Sequence, residues 1–305
     1  MFQFENFYSF IKAYKNECYN DAIRVLSEAK DDLICKYLSL FFERYSDNEI
    51  SESRNDPGLI KIWSRTSIAR KEYLFLLEVY KNILNDDNAK YYFDIGCGNA
   101  KYSVLLLEKY KNFFNGKKIV LVDKNSTVIK DAYGNVKNAS PSYENIIPVV
   151  RDIIDLDINR YLPLKESAII NAGSVLHEFP EVIKREVISK LISKRSKILI
   201  SELCIDHETK IERDLALNSY IFYSYLLNDV LSSNLAKCDA EKFIIDYLMD
   251  ELLTINIALY EQRNNYHMKI SQWISLFEDL GLKYSVYTKI FDDNAPEFSV
   301  FYLRS

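Results

Sequence analysis

Through residues 1 to 88 the apolar positions recur three and four apart and never alternate. Phe7, Phe10, Ile11 and Tyr14 keep helical spacing, as do Ile23, Val25, Leu26 and, after a polar break, residues 33 to 42. The first strong turn signal is Asn55-Asp56-Pro57-Gly58, so the pattern predicts two or three helices before it and a pair after it. The last of these, over residues 68 to 84, sets Tyr73, Leu76, Leu77 and Tyr80 on one face. The pattern then changes to short apolar runs at 91–95, 117–123, 146–153, 167–174 and 197–202, which read as buried strands. Helical spacing returns over 208–265, with Leu215, Tyr220, Phe222, Tyr223, Leu226 and Leu227 followed by Phe243, Ile244, Tyr247, Leu248 and Leu252. Residues 271 to 280 form an amphipathic helix closed by Gly281, and two strand patterns end the chain at 282–290 and 298–303.

The first strand carries the most informative chemistry. Tyr91-Tyr92-Phe93-Asp94-Ile95-Gly96-Cys97-Gly98-Asn99-Ala100 is an apolar run ending in a carboxylate, then Gly-x-Gly, then a helix. The chain holds only seven glycines, and two of them sit here, where a tight turn and close backbone approach to a ligand need them. About 25 residues on, the second strand ends in Asp123, the spacing of a βαβ unit that presents an acid to ribose hydroxyls. A dinucleotide site would need a third glycine where this chain has Lys101, and Asp94 would repel a phosphate. A carboxylate at that point suits a ligand with an ammonium or sulfonium group.

With Asp94, Gly96, Gly98 and Asp123 in these places, the chain resembles the class I S-adenosylmethionine-dependent methyltransferases. The resemblance covers roughly residues 91–205 and 268–305. It implies an α/β fold, a Rossmann-like seven-stranded sheet ending in an antiparallel hairpin. Residues 1–88 are then a helical N-terminal cap, 89–207 the cofactor-binding core, 208–267 a helical lid and 268–305 the last helix and hairpin. It implies S-adenosylmethionine as cofactor and S-adenosylhomocysteine as product. Asp152 and the backbone of Ile153 stand where family members hold adenine, and Asn171 on the fourth strand joins Asp94, Gly96, Gly98 and Asp123 as a cofactor residue. Tyr220, Tyr223 and Tyr260 are candidates to point from the lid toward the acceptor, although packing within the cap or a homodimer interface accounts equally well for any one aromatic there.

The catalytic candidates are His177, just after the fourth strand, and Glu202, which ends the fifth. The arrangement resembles the His/Glu pair of polyketide-synthase-type C- and O-methyltransferases. A carboxylate on one imidazole nitrogen makes the other the better proton acceptor. Such a base helps a hydroxyl or a carbon acid, and so points to an O- or C-methyl acceptor: a small natural product, free or tethered to a carrier protein. The Asn/Asp-Pro-Pro-aromatic motif of amino-methyltransferases is missing, and Asn171 and Glu202-Leu203 depart from the metal-dependent catechol pattern, so no metal is expected. The alternative is a non-catalytic S-adenosylmethionine-binding protein whose cap recruits a partner.

Composition changes little in this picture. A net charge of −5 shows no nucleic-acid footprint, and no apolar stretch reaches transmembrane length. The N-terminus lacks a signal-peptide pattern, and five scattered cysteines fit reduced thiols, so a cytoplasmic enzyme with no membrane or nucleic-acid partner is expected. The 23 tyrosines exceed ordinary usage without marking any one position.

Overall fold

The computed structural model describes residues 2–45, 57–84, 88–140, 143–192, 195–263, 265–292 and 295–304. Three helices come first: α1 (Phe2–Lys15), α2 (Tyr19–Glu28) and α3 (Leu33–Arg44). Asn55 and Asp56 of the expected break lie outside the described residues; Pro57 opens α4 (Pro57–Trp63), followed by α5 (Ser67–Leu84). The alternating region runs β1 (Tyr91–Ile95), α6 (Lys101–Lys109), α7 (Lys111–Phe114), β2 (Lys118–Asp123), α8 (Ser126–Ala139), β3 (Ile146–Val150), β4 (Ala168–Gly173), α9 (Glu181–Leu191) and β5 (Ser196–Cys204). Then come α10 (Glu212–Ser232), α11 (Lys237–Phe243), α12 (Asp250–Ile257), α13 (Ile270–Asp279), β6 (Lys283–Ile290) and β7 (Glu297–Arg304).

The seven strands form one mixed sheet in the order β3-β2-β1-β4-β5-β7-β6. Strands β1 to β5 pair in parallel, while β7 runs antiparallel between β5 and β6. Every residue of β1 and β4 is buried, as expected of central parallel strands covered on both faces. Pro148 is tolerated because β3 is an edge strand, and the opposite edge, β6, is half exposed and carries Lys283 and Lys289. The strand order reverses between β1 and β4, and this is where α/β sheets open a crevice at their carboxyl ends. Before the hairpin, Gly281 (φ +66°) ends α13 in a Schellman turn: its amide donates to Glu278 O at 2.9 Å and that of Leu282 to Phe277 O at 3.0 Å.

The chain divides into a helical unit (Met1–Ala69, Ile205–Met268, Asp292–Pro296) and a sheet unit (Arg70–Cys204, Lys269–Phe291, Glu297–Ser305). The first boundary therefore differs from the one that periodicity suggests at residue 88, because the face of α5 read from the sequence belongs to the sheet unit. Its Tyr80 hydroxyl donates to Asn171 Oδ1 at 2.8 Å, and Tyr73 meets Tyr102 edge to face with ring centroids 4.6 Å apart. In the helical unit, Asp32 caps α3 by accepting from the amides of Ile34 and Cys35. A π-helical segment, Ile244–Met249, joins α11 to α12 and carries Asp246, which accepts from Arg44 at 2.6 Å and from Tyr45 at 2.8 Å. The simple helical period of this stretch gives no sign of that wider turn. Among the described residues no helix is long and apolar enough to cross a membrane.

Candidate active site

The glycine turn follows from where β1 ends. Gly96 (φ +62°), Gly98 (φ +51°) and Ala100 (φ +57°) all adopt the left-handed region, which reverses the chain into α6 within five residues. Of the three, Ala100 alone bears the cost of a Cβ in that conformation. The turn is stitched to its neighbours: Cys97 N donates to Val122 O at 3.0 Å, Ala100 N to Cys97 O at 2.7 Å and Asn135 Nδ2 to Asn99 O at 2.9 Å. A Cβ on Gly96 would collide with Cγ2 of Val175, from the segment after β4. The space above the first glycine is thus filled by a side chain of the protein itself.

Asp123 closes the turn from the side of β2. Its Oδ2 accepts from Gly98 N at 3.2 Å and its Oδ1 from Asn125 N at 2.9 Å. Burial raises its pKa, with a smaller contribution of the same sign from Glu178, against the two amides and Lys124. Lys124 pairs with Glu178 at 3.3 Å, joining the segments after β2 and β4. At the end of β3, Asp152 Oδ1 accepts from Ile154 N at 3.0 Å and Ile153 is buried. Since β1, β2 and β3 are adjacent, Gly98, Asp123, Asp152 and Ile153 gather along one rim of the sheet.

Asp94 and Asn171 lie deeper. They are register partners on β1 and β4, and both are buried. Asp94 Oδ1 accepts from Asn171 Nδ2 at 3.0 Å, and its Oδ2 accepts from Ser103 Oγ at 2.6 Å. Burial pushes the Asp94 carboxyl up to about 6, opposed by the Ser103 and Asn171 hydrogen bonds and assisted by the nearby charge of Asp123.

His177 and Glu202 meet. Glu202, on β5, is buried, and its Oε1 accepts from the amides of Val175 (3.1 Å), Leu176 (2.8 Å) and His177 (3.3 Å). Its Oε2 lies 2.8 Å from His177 Nδ1. The histidine side chain is 13% exposed and that of the glutamate 1%. The segment reaches this geometry through Ser174, a non-glycine residue at φ +50° whose amide donates to Ser201 O at 2.7 Å. Such strain persists only where the surroundings enforce it, and here they include Tyr102, packed where a Cβ on Gly173 would stand.

The three tyrosines expected at the acceptor belong to the helical unit and bond to its carboxylates: Tyr220 to Asp32 at 2.8 Å, Tyr223 to Glu251 at 3.0 Å, and Tyr260 to Glu208. Tyr223 is completely buried. His207, also buried, packs edge to face with Phe222 at 5.5 Å. Sequence reading gave no site role to Tyr102, Ser103, Ser174 and Val175. Ser103 had a usable signal, a small polar residue in the first turn of the helix after the glycines. The others carried none.

No protein-family model matches the sequence, and neither does any curated protein. Solved structures do. SCL7 of Oryza sativa aligns over 92% of this chain and 94% of its own with a TM-score of 0.72 at 11% identity. Magnesium protoporphyrin IX methyltransferase (ChlM) from Synechocystis, solved with bound SAH, covers 88% and 96% with a TM-score of 0.44 at 13% identity. The small RNA methyltransferase HEN1 covers 77% of this chain and 25% of its own, with a TM-score of 0.47 at 14% identity. At 11% identity the likeness to SCL7 is one of fold alone.

Proposed function

We propose that this chain is an S-adenosylmethionine-dependent methyltransferase that acts on an oxygen or carbon of a small-molecule acceptor, free or carrier-tethered. The observation that carries the reading is the His177–Glu202 pair at the carboxyl ends of β4 and β5. Three backbone amides on Oε1 fix the Glu202 carboxylate, so Oε2 orients the imidazole through Nδ1. With its proton on Nδ1, the neutral ring carries its basic lone pair on Nε2. His177 then takes the acceptor's proton at Nε2 as the new bond to carbon forms, and Glu202 stabilises the imidazolium. General-base catalysis of this kind contributes typically ~10²–10⁴-fold.

The rim residues suit the adenosine part of such a cofactor. The glycine turn brings backbone close, Asp123 has acceptor capacity for ribose hydroxyls beyond its two amides, and Asp152 with Ile153 lies one strand further for the adenine ring. When bound, S-adenosylmethionine supplies a methyl group on a sulfonium leaving group; alignment by the protein does much of the rest. Asp94 acts on this site at one remove, because it is buried with its oxygens turned to Ser103 and Asn171.

One observation favours the second reading, a non-catalytic S-adenosylmethionine-binding protein whose helical unit recruits a partner. Val175 stands over Gly96 and Tyr102 against Gly173, next to the segment that carries His177. Calorimetry with S-adenosylhomocysteine, run beside a transfer screen in metabolite extracts with methyl-labelled S-adenosylmethionine, separates the two. Binding with labelled small-molecule product supports the enzyme; binding without transfer supports the second reading; label on nucleic acid overturns the small-molecule acceptor.

A further inference from the structure

Beneath the glycine turn lies a chain of side-chain hydrogen bonds that the proposed chemistry does not use. Tyr80, on α5, donates to Asn171 Oδ1 at 2.8 Å; Asn171, on β4, donates to Asp94 Oδ1 at 3.0 Å; and Ser103, on α6, donates to Asp94 Oδ2 at 2.6 Å. All four residues are at most 2% exposed. The chain joins the helix before β1, the helix after it and the neighbouring strand to one carboxylate, two residues before Gly96. The Ser103 bond closes the turn into a loop pinned at both ends.

Resting on the methyltransferase reading, we propose that Tyr80 and Asn171 are positioning residues for the cofactor turn: with Ser103 they hold an ionised Asp94 in place, and cofactor affinity requires that hold to be complete. The geometry makes it sensitive to one proton. A protonated Asp94 turns one acceptor oxygen into a donor. Asn171 Nδ2, itself a donor, cannot receive it, so Ser103 Oγ is the partner that can, by reversing its bond, and the Asn171 bond loses the charge that strengthens it. The groups facing Asp94 are Tyr73 and Tyr80 from α5, Tyr92 from β1, Cys97 from the turn and Asp123 from β2. Burial drives the pKa values of these tyrosines and the cysteine up, so they stay neutral, and Asp123 adds a like charge. None of these groups is a cation. Asp94, at about 6, is thus the group that titrates here near neutrality, and a positively charged ligand at the turn favours its ionised form.

The test is calorimetric titration of the whole chain with S-adenosylhomocysteine between about pH 5 and 8, for the parent, Tyr80→Phe and Asn171→Leu. The parent should bind with constant affinity above its acid limb and lose close to tenfold per pH unit well below it. Asn171→Leu removes a hydrogen bond that favours the ionised carboxylate, so its acid limb should move up by about one pH unit. Tyr80→Phe removes one hydroxyl from the far end and should move the limb the same way by less, and it serves alone if the leucine variant does not fold. A uniform loss of affinity with an unmoved limb means a merely structural role and overturns the proposal. A parent that binds tightly with a flat profile also overturns it, while leaving the methyltransferase reading intact. No binding by the parent at any pH overturns both.

Discussion

Replacing Asp94 by asparagine isolates the energetics of the buried carboxylate. Burial raises its pKa from 3.8 to about 6, a difference that at 1.36 kcal/mol per unit is worth about 3 kcal/mol. The sign is the reverse of a salt-bridged acid. Between these two values the native state keeps a proton that the unfolded chain has released, so stability falls as pH rises through the window, and ionised Asp94 costs the fold about 3 kcal/mol at neutral pH. The amide of the Asp94→Asn variant would be neutral throughout, still able to accept from Asn171 and to donate to Ser103. Urea unfolding of parent and variant at about pH 4.5 and 7.5 reads the difference. Integrating the linkage between those limits, the variant should gain about 2 kcal/mol on the parent on going to the higher pH. Asp123, also raised by burial, contributes the same sign to both proteins and largely cancels. A stability difference that is flat with pH, or that turns against the variant as pH rises, would refute the argument that Asp94 is held ionised at a cost.

Three other changes probe separate parts of the site. Asp123→Ala should weaken S-adenosylhomocysteine binding by about 1.5–3 kcal/mol, the range for losing a hydrogen bond to a charged group, with the fold intact; unchanged affinity by calorimetry would place the ribose elsewhere. Gly96→Ala should destabilise the chain by more than the ~1–2 kcal/mol of a left-handed alanine, because its Cβ meets Val175; adding Val175→Ala should recover part of the excess in thermal melts, since Val175 Cβ itself lies 2.7 Å from the new Cβ. Gly281→Ala, with open space around it, should cost only the backbone part, and a much larger loss would mean the Schellman turn is packed more tightly than it looks.

The strands were legible because each carries a local signal, a short apolar run, joined in β1, β2 and β5 by a carboxylate near the end and by glycines at the first crossover. Gly281 was legible for the same reason, as a left-handed residue directly after an amphipathic helix. What stayed hidden depends on contacts between distant segments. Asp94 reads as a ligand-facing acid because it precedes the glycines, yet its side chain points into a network with Ser103 and Asn171 that only the packing of α6 and β4 creates. Nothing in α5 marks the point where it passes from one unit to the other, since a helix with one apolar face suits either. Gly96 was legible as a glycine that must stay small, but the neighbour that keeps it small, Val175, lies 79 positions away and is one valine among many. The approach of His177 to Glu202 was inferred from the adjacency of the fourth and fifth strands, whereas the three amides that anchor Glu202 follow from the strained Ser174, which the sequence does not announce.

The central claim, that His177 and Glu202 act as one unit in methyl transfer, is tested most directly by kcat for His177→Ala, Glu202→Gln and the double variant on any acceptor the parent methylates. The account predicts a loss of ~10²-fold or more for His177→Ala with S-adenosylhomocysteine affinity little changed. Glu202→Gln should lose somewhat less, and the double variant should be far less impaired than the product of the two single losses. Full turnover by His177→Ala at neutral pH, or losses that multiply, would contradict it.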